Sequence, residues 1–277
     1  MTARSVRVKA ARKLTRRASR TSARMFLAEG PQAVREALGV TGCVVEIFAS
    51  SDDQDRHRDL HAAARTAEVP WHPTDPDGLA TLTDTVSSQG VVAVCRFLDV
   101  PLEDVLTPQP RLLAVCVDVR DPGNAGSVIR CADAAGAAAV VLAGASVDPY
   151  NGKAVRASAG SLFHVPVVFG PTVEDVVRRV RRAGLRVLAA DGAGDEDLIR
   201  AAEDGTLTAP SAWLFGNEAH GLSAADTALA DNVVRVPIYG RAESLNLAAA
   251  VAVCLYASAR AQRTPPGRSF GTFYPRR

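Results

Sequence analysis

The second half of this 277-residue chain repeats one alternation, and that alternation limits the folds open to it. Apolar runs of strand length fall at 112–118, 139–143, 185–190, 212–215 and 233–237, and stretches with helical apolar spacing fall at 125–136, 172–183 and 244–261. Strands that are apolar at nearly every position have both faces covered. Alternating with helices, they predict an α/β fold with a mostly parallel sheet. Ligands of such sheets gather at the carboxyl ends of the strands, so chemistry is expected in the loops that follow them.

Three of those loops are loaded with Gly, Asn and small polar residues. The first runs Asp118-Val-Arg-Asp121-Pro122-Gly123-Asn124-Ala-Gly126-Ser127 and leads to Arg130 in the next helix, with Asn124 placed to cap that helix. The second is Phe215-Gly216-Asn217-Glu218-Ala-His220-Gly221, where an apolar strand enters glycine directly and the backbone can approach a ligand closely. The third is Val236-Pro-Ile238-Tyr-Gly-Arg-Ala-Glu-Ser244-Leu245-Asn246, opening an Ala/Val-rich helix that reads as buried. Ser244 is the expected cap there, with Asn246 in the first turn beside free backbone N–H groups. Each loop alone is also an ordinary strand–turn–helix connection.

Charge is distributed unevenly. Residues 1–24 carry Arg4, Arg7, Lys9, Arg12, Lys13, Arg16, Arg17, Arg20 and Arg24 and no acid, although the whole chain has a formal net charge of only +2. A single-signed arm on an acidic body points to an anionic partner, most simply a nucleic acid held through its phosphates; the plain alternative is a solvated tail. Between the arm and residue 99, helical spacing at Val34, Ala37 and Leu38, strand-like runs at 44–48 and 91–95, and a helical stretch at 54–67 make a small α/β unit. The resulting division is an arm (1–24), a small unit (25–99), a proline-containing linker (100–110), a larger α/β unit (111–265) and an irregular tail (266–277).

Several classes are excluded. No run of about 18 uncharged apolar residues is present to cross a membrane, and no apolar segment follows the N-terminal basic residues as in a secretory signal. The five cysteines, Cys43, Cys95, Cys116, Cys131 and Cys254, form no CxxC pair and no Cys/His cluster at zinc spacing. They read as reduced thiols of a cytoplasmic protein without a metal site. Gly192-Ala-Gly194 follows a strand, but Asp197 stands where a dinucleotide fingerprint needs glycine. No GxxxxGK[ST] and no GxSxG occurs.

In their order, the three loops resemble the three motifs of the TrmH/SpoU branch of the SPOUT RNA methyltransferases: Asn124 with Arg130, Gly216-Asn217-Glu218 with Gly221, and Ser244-Leu245-Asn246 followed by small residues. Upstream, Phe26-Leu-Ala-Glu-Gly30, Val34-Arg-Glu-Ala-Leu38 and Ser88-Gln89-Gly90-Val91 are similar to the L30e-like RNA-binding domain of many members, with Ser88 where members often carry His. The resemblance implies a C-terminal domain with a deep trefoil knot that binds S-adenosylmethionine (SAM), joined to a smaller N-terminal domain. It also implies a homodimer with its active site at or near the subunit interface. The implied reaction is methyl transfer to a ribose 2′-hydroxyl of RNA, most simply 23S rRNA.

The same resemblance implies catalytic roles for Asn124, Arg130, Glu218, Ser244 and Asn246: Asn124 orienting Arg130 or the ribose, Glu218 fixing the second loop and supporting Arg130, and Ser244 and Asn246 contacting the target nucleotide or holding the third loop. It places SAM against Ala190, Asp191, Gly192, Phe215, Gly216, Asn217, Val236, Ile238, Ser244, Leu245 and Ala248. RNA falls to Arg12, Lys13, Arg16, Arg17, Arg20, Arg24 and Gln89. A tRNA ribose methyltransferase and a non-catalytic RNA-binding protein are the other readings. The intact Asn124/Arg130/Glu218/Ser244/Asn246 set, which a pure binding protein need not keep, favours the enzyme.

Overall fold

The long apolar runs become strands covered on both faces. In a computed structural model, which describes residues 1–52, 56–83, 88–107 and 109–263, the C-terminal sheet contains β5 (Leu112–Val117), β6 (Ala139–Ala143), β7 (Val167–Phe169), β8 (Arg186–Ala190), β9 (Glu196–Asp197), β10 (Ser211–Phe215) and β11 (Asn232–Arg235). The N-terminal sheet contains β1 (Met25–Glu29), β2 (Val44–Ser50), β3 (Trp71–Thr74) and β4 (Val91–Arg96). The larger sheet is parallel throughout, in the order β7-β6-β5-β10-β8-β11-β9. Along β5, Leu112, Ala114 and Cys116 join one core while Leu113, Val115 and Val117 join the other, the two-residue period of a strand between two helical layers. The smaller sheet runs β1-β4-β2-β3, with only β2 and β3 parallel.

β7 and β9 lie outside the strands expected from sequence. At three and two residues they are too short to carry a period. The helix Pro122–Ala135 starts earlier than its apolar spacing indicates. Asp121 caps it by accepting from Asn124 N at 2.8 Å, and Pro122 takes the first helical position. The cap is therefore Asp121, not Asn124. Likewise the last helix spans Leu247–Arg263 and is opened by Asn246, whose side chain accepts from Ala248 N at 2.9 Å; Ser244 lies outside it. The tail 266–277 is outside the described residues.

The basic arm is folded. Helices Val6–Arg12 and Arg17–Ala23 flank a 3₁₀ turn, Lys13–Thr15. Val8, Ala11 and Leu14 recur every three residues and pack on Leu27, Phe48, Val92 and Val94 of the small sheet. Arg20, expected to meet phosphate, is only 3% exposed. Its Nε and Nη2 hold Asp148 Oδ2 at 2.9 and 2.7 Å, and its Nη1 donates to Leu14 O and Thr15 O. The guanidinium thus ties the arm to the loop after β6 and is not available to RNA.

Further contacts lock the two units together. The Tyr150 hydroxyl accepts from Leu98 N and Asp99 N and donates to Asp99 Oδ1, while its ring stacks on Phe97 with centroids 3.9 Å apart. Arg156 pairs with Glu29 at 3.2 Å. His164 bridges Asp133, on the helix that also carries Arg130, and Glu36 of the N-terminal unit, at 2.9 and 3.1 Å.

Candidate active site

Because all strands of the large sheet are parallel, their carboxyl ends share one edge, and the order β5-β10-β8-β11 brings the three expected loops together there. Glu218 sits at their junction. Its carboxylate accepts from Arg120 N at 3.2 Å, Asp121 N at 3.1 Å and Asn124 Nδ2 at 3.2 Å. Asn124 Oδ1 in turn accepts from Asn246 Nδ2 at 3.1 Å. A relay Glu218–Asn124–Asn246 therefore joins the second, first and third loops. Partial burial works to raise the Glu218 carboxyl. Hydrogen bonds from its own backbone N–H, from those of Arg120 and Asp121, and from Asn124 outweigh it, and the carboxyl lies below its ordinary range.

The second loop is a tight turn. Asn217 and Gly221 exchange backbone hydrogen bonds at 3.0 and 2.9 Å, and Asn217 Nδ2 donates to Asp118 O at 2.8 Å. A Cβ on Gly216 would lie 2.1 Å from Gly221 C and 2.2 Å from Leu222 N, so this close approach requires glycine. Next to the turn opens a cleft of about 660 Å³, lined by residues that include Asp118, Arg120, Asn124, Glu218, His220 and Asp226.

The residues expected to hold the cofactor lie at the ends of three adjacent strands. Phe215, Gly216 and Asn217 end β10, Ala190, Asp191 and Gly192 end β8, and Val236 and Ile238 follow β11. Ala248 is half-buried at the start of the last helix. Gly192 is exposed, and nothing lies within 4 Å of where its Cβ would be. Ser244 and Leu245 are exposed on the third loop.

Arg130 does not join the relay. It is exposed and makes no hydrogen bond or ion pair with the described residues. Six residues of helix separate it from Asn124, about 9 Å along the axis. Within one chain the Asn124 side chain is bonded to Glu218 and Asn246. Sequence reading missed the part played by Asp121, which caps the helix and pairs with Lys153 at 2.6 Å, a contact that holds its carboxyl below the usual range. The Asp-Pro pair was its available signal.

The remaining expected residues divide by exposure. Arg12, Lys13, Arg16 and Arg17 are exposed on the arm and make no ion pair with the described residues. Arg24 is exposed but held by Asp99 at 3.1 Å and lies 4.8 Å over the Phe97 ring. Gln89 is exposed beside Gly30. Cys43, Cys95, Cys116 and Cys254 are buried and Cys131 half-buried, all as free thiols. Burial pushes Cys116 and Cys254 up to about 12.

Comparison with known proteins places this geometry in a family. Residues 111–256 match the SpoU rRNA Methylase family, and residues 6–93 match the MRM3-like substrate binding domain. The chain is 35% identical over 257 residues to 23S rRNA (guanosine(2553)-2'-O)-methyltransferase RlmP of Bacillus subtilis, covering 92% of this chain and 96% of the relative. It is 36% identical over 211 residues to 23S rRNA (uridine(2479)-2'-O)-methyltransferase of Streptomyces viridochromogenes, covering 73% and 70%. Among solved structures, the SpoU methyltransferase AviRb from Streptomyces viridochromogenes in complex with AdoMet superposes with a TM-score of 0.81 at 33% identity, over 93% of this chain and 98% of that one. An AdoMet-bound rRNA methyltransferase from Sinorhizobium meliloti gives 0.79 at 32% identity, over 94% and 97%. By sequence and by fold, the chain belongs to the SpoU rRNA methylase family.

Proposed function

We propose that this protein transfers a methyl group from SAM to a ribose 2′-hydroxyl of 23S rRNA. One observation carries the reading: the Glu218–Asn124–Asn246 relay joins the three strand-end loops into a single surface beside an open cleft. SAM, when bound, supplies an electrophilic methyl group on a sulfonium. The residues fit such a group, because Ala190–Gly192, Phe215–Asn217, Val236, Ile238 and Ser244–Ala248 offer backbone and small side chains at adjoining strand ends, as a flat adenine requires. Positioning the hydroxyl in line with the methyl group supplies much of the acceleration.

Arg130 is permanently cationic. In this reading it holds the phosphate next to the target ribose and lowers the hydroxyl pKa electrostatically. Because one chain leaves Arg130 apart from the relay, the reading includes a homodimer through the C-terminal unit. Exposed Val253 (43%), Tyr256 (52%) and Leu245 (38%) supply apolar surface for it. The reading also includes the trefoil knot and a cytoplasmic setting. Arg12, Lys13, Arg16, Arg17, Arg24 and Gln89 face the RNA, and the arm residues give salt-dependent affinity through phosphates.

The test is transfer of label from SAM to purified rRNA and tRNA, followed by mapping of 2′-O-methylated positions. Incorporation at one 23S position, lost in Arg130→Ala, is expected. Incorporation only into tRNA, or SAM binding with no transfer to any RNA, would overturn the assignment.

A further inference from the structure

The two arm helices stand apart over the small sheet and leave a second cavity between them, of about 540 Å³, within the size range of ligand sites. Leu14, Met25, Val45 and Val94 give it apolar walls, and Ser19 and Ser22 of the helix Arg17–Ala23 border it. Glu46 is the one acid lining it. That carboxylate is already engaged by Arg7 at 3.1 Å and His72 at 3.0 Å, so it presents little free negative charge.

The surroundings are charged with one sign. Lys13 lines the cavity, and Lys9, Arg12, Arg16 and Arg17 are exposed on the same two helices and the turn between them. None of these five makes a hydrogen bond or ion pair from its side chain to the described residues. Arg7, Arg20 and Arg24, by contrast, are committed to Glu46, Asp148 and Asp99. An apolar slot with Lys13 in its lining, bordered by helices that carry further uncommitted cations, suits a group that is flat and apolar-faced at its centre and anionic beside it. A nucleobase turned out of its stack, with a phosphate on either side, has that chemistry.

We infer that the cavity between the arm helices receives one unstacked base of the RNA substrate, with Lys13 in the lining and Arg16 at the start of the bordering helix on the flanking phosphates. The inference rests on the reading that RNA is the substrate and adds to it a specific contact remote from the methyl-transfer site. The base edge meets the Ser19 and Ser22 hydroxyls, while its face lies on Met25 and Val45. Phosphate contacts alone would carry no sequence information; a base in this slot gives the arm a means of choosing among RNA segments.

The test uses the full-length protein and protein-free 23S rRNA transcribed with 4-thiouridine. Ala18→Leu and Ser22→Leu each fill the slot from an exposed helical position that accepts leucine readily. Thr21→Leu, on the same helix but outside the cavity, is the control. Photocrosslinks in wild type are expected within residues 10–25 and to be lost in both filled variants. KM for rRNA is expected to rise about 10-fold, as for loss of one buried apolar contact of roughly 1.5 kcal/mol, with kcat, SAM affinity and the thermal midpoint unchanged. Filled variants with the KM of Thr21→Leu, or wild-type crosslinks only outside residues 10–25, would overturn the slot and leave the methyltransferase reading intact. Wild-type protein inactive on every RNA would overturn that reading instead, and the crosslinks would then decide the slot alone.

Discussion

Replacing Arg20 with alanine tests how the arm is held. In the folded chain Arg20 and Asp148 are 3% and 6% exposed, with contacts at 2.9 and 2.7 Å. Arg20→Ala strips Asp148 of its countercharge and leaves Tyr150 N, at 2.8 Å, among its partners. It also removes the donor that serves Leu14 O and Thr15 O. Breaking a buried pair from one side costs about 3–5 kcal/mol, against a whole-protein stability of about 5–15 kcal/mol. Replacing both partners, Arg20→Met with Asp148→Leu, removes the stranded charge and is expected to return to within about 2 kcal/mol of wild type. Urea unfolding of these three proteins, wild type included, measures both values. The loss in Arg20→Ala should persist in 1 M salt, because buried pairs are screened far less than exposed ones. A loss below about 1 kcal/mol, the range of surface pairs, or a double variant no better than Arg20→Ala, would refute the claim that the arm is anchored by a buried charge pair.

Glu218→Gln is expected to cut methyl transfer about 100-fold by loosening the relay, measured as kcat with SAM saturating; an unchanged kcat would contradict the relay's role. Since the folded Glu218 pKa lies below 4.5, its contribution to stability is present above about pH 4.5 and is lost as pH falls through the lower folded value. The same substitution should therefore flatten the acid limb of stability against pH. His164 is shifted the other way, its pKa raised above 6.5 by the hydrogen bonds its ring donates first to Asp133 and then to Glu36. Its contribution is full below about pH 6.5 and lost as pH rises through the raised value, so urea midpoints should fall across that window in wild type and not in His164→Ala. Gly216→Ala, which sets a methyl group against the Gly221 and Leu222 backbone, should cost about 1–3 kcal/mol of stability and weaken SAM binding in calorimetry; wild-type values for both would show that the turn is not tight.

The elements legible in the sequence are those whose pattern is long and local. β5, β6, β8, β10 and β11 announce themselves as apolar runs, and helix Val173–Arg182 buries Val173, Val176, Val177 and Val180 at helical spacing. Helix starts were less legible, since Asn124 and Asn246 are both capable caps and only one of them caps. Arg20 could not be told from its neighbours by charge, because the partner that buries it is 128 residues away. For the arm a signal existed: Val8, Ala11 and Leu14 trace an inward face beneath the arginines, visible once charge is set aside. The three loops were legible one by one, but their meeting was not. It depends on β10 lying between β5 and β8, an order that no local pattern encodes, and the relay from Glu218 through Asn124 to Asn246 exists only because of it.

The joint between the two units has a consequence for how a target is chosen. Tyr150 is bonded to both Leu98 N and Asp99 N, Arg20 to Asp148, and His164 to both Asp133 and Glu36, so the arm and the strand-end cleft sit at a set separation. If RNA is seated on the arm as proposed, a molecule built this way works as a caliper: it selects a nucleotide by its distance from that segment as well as by its identity. Inserting base pairs between those two places in the RNA would then silence methylation while leaving the target's immediate neighbours unchanged.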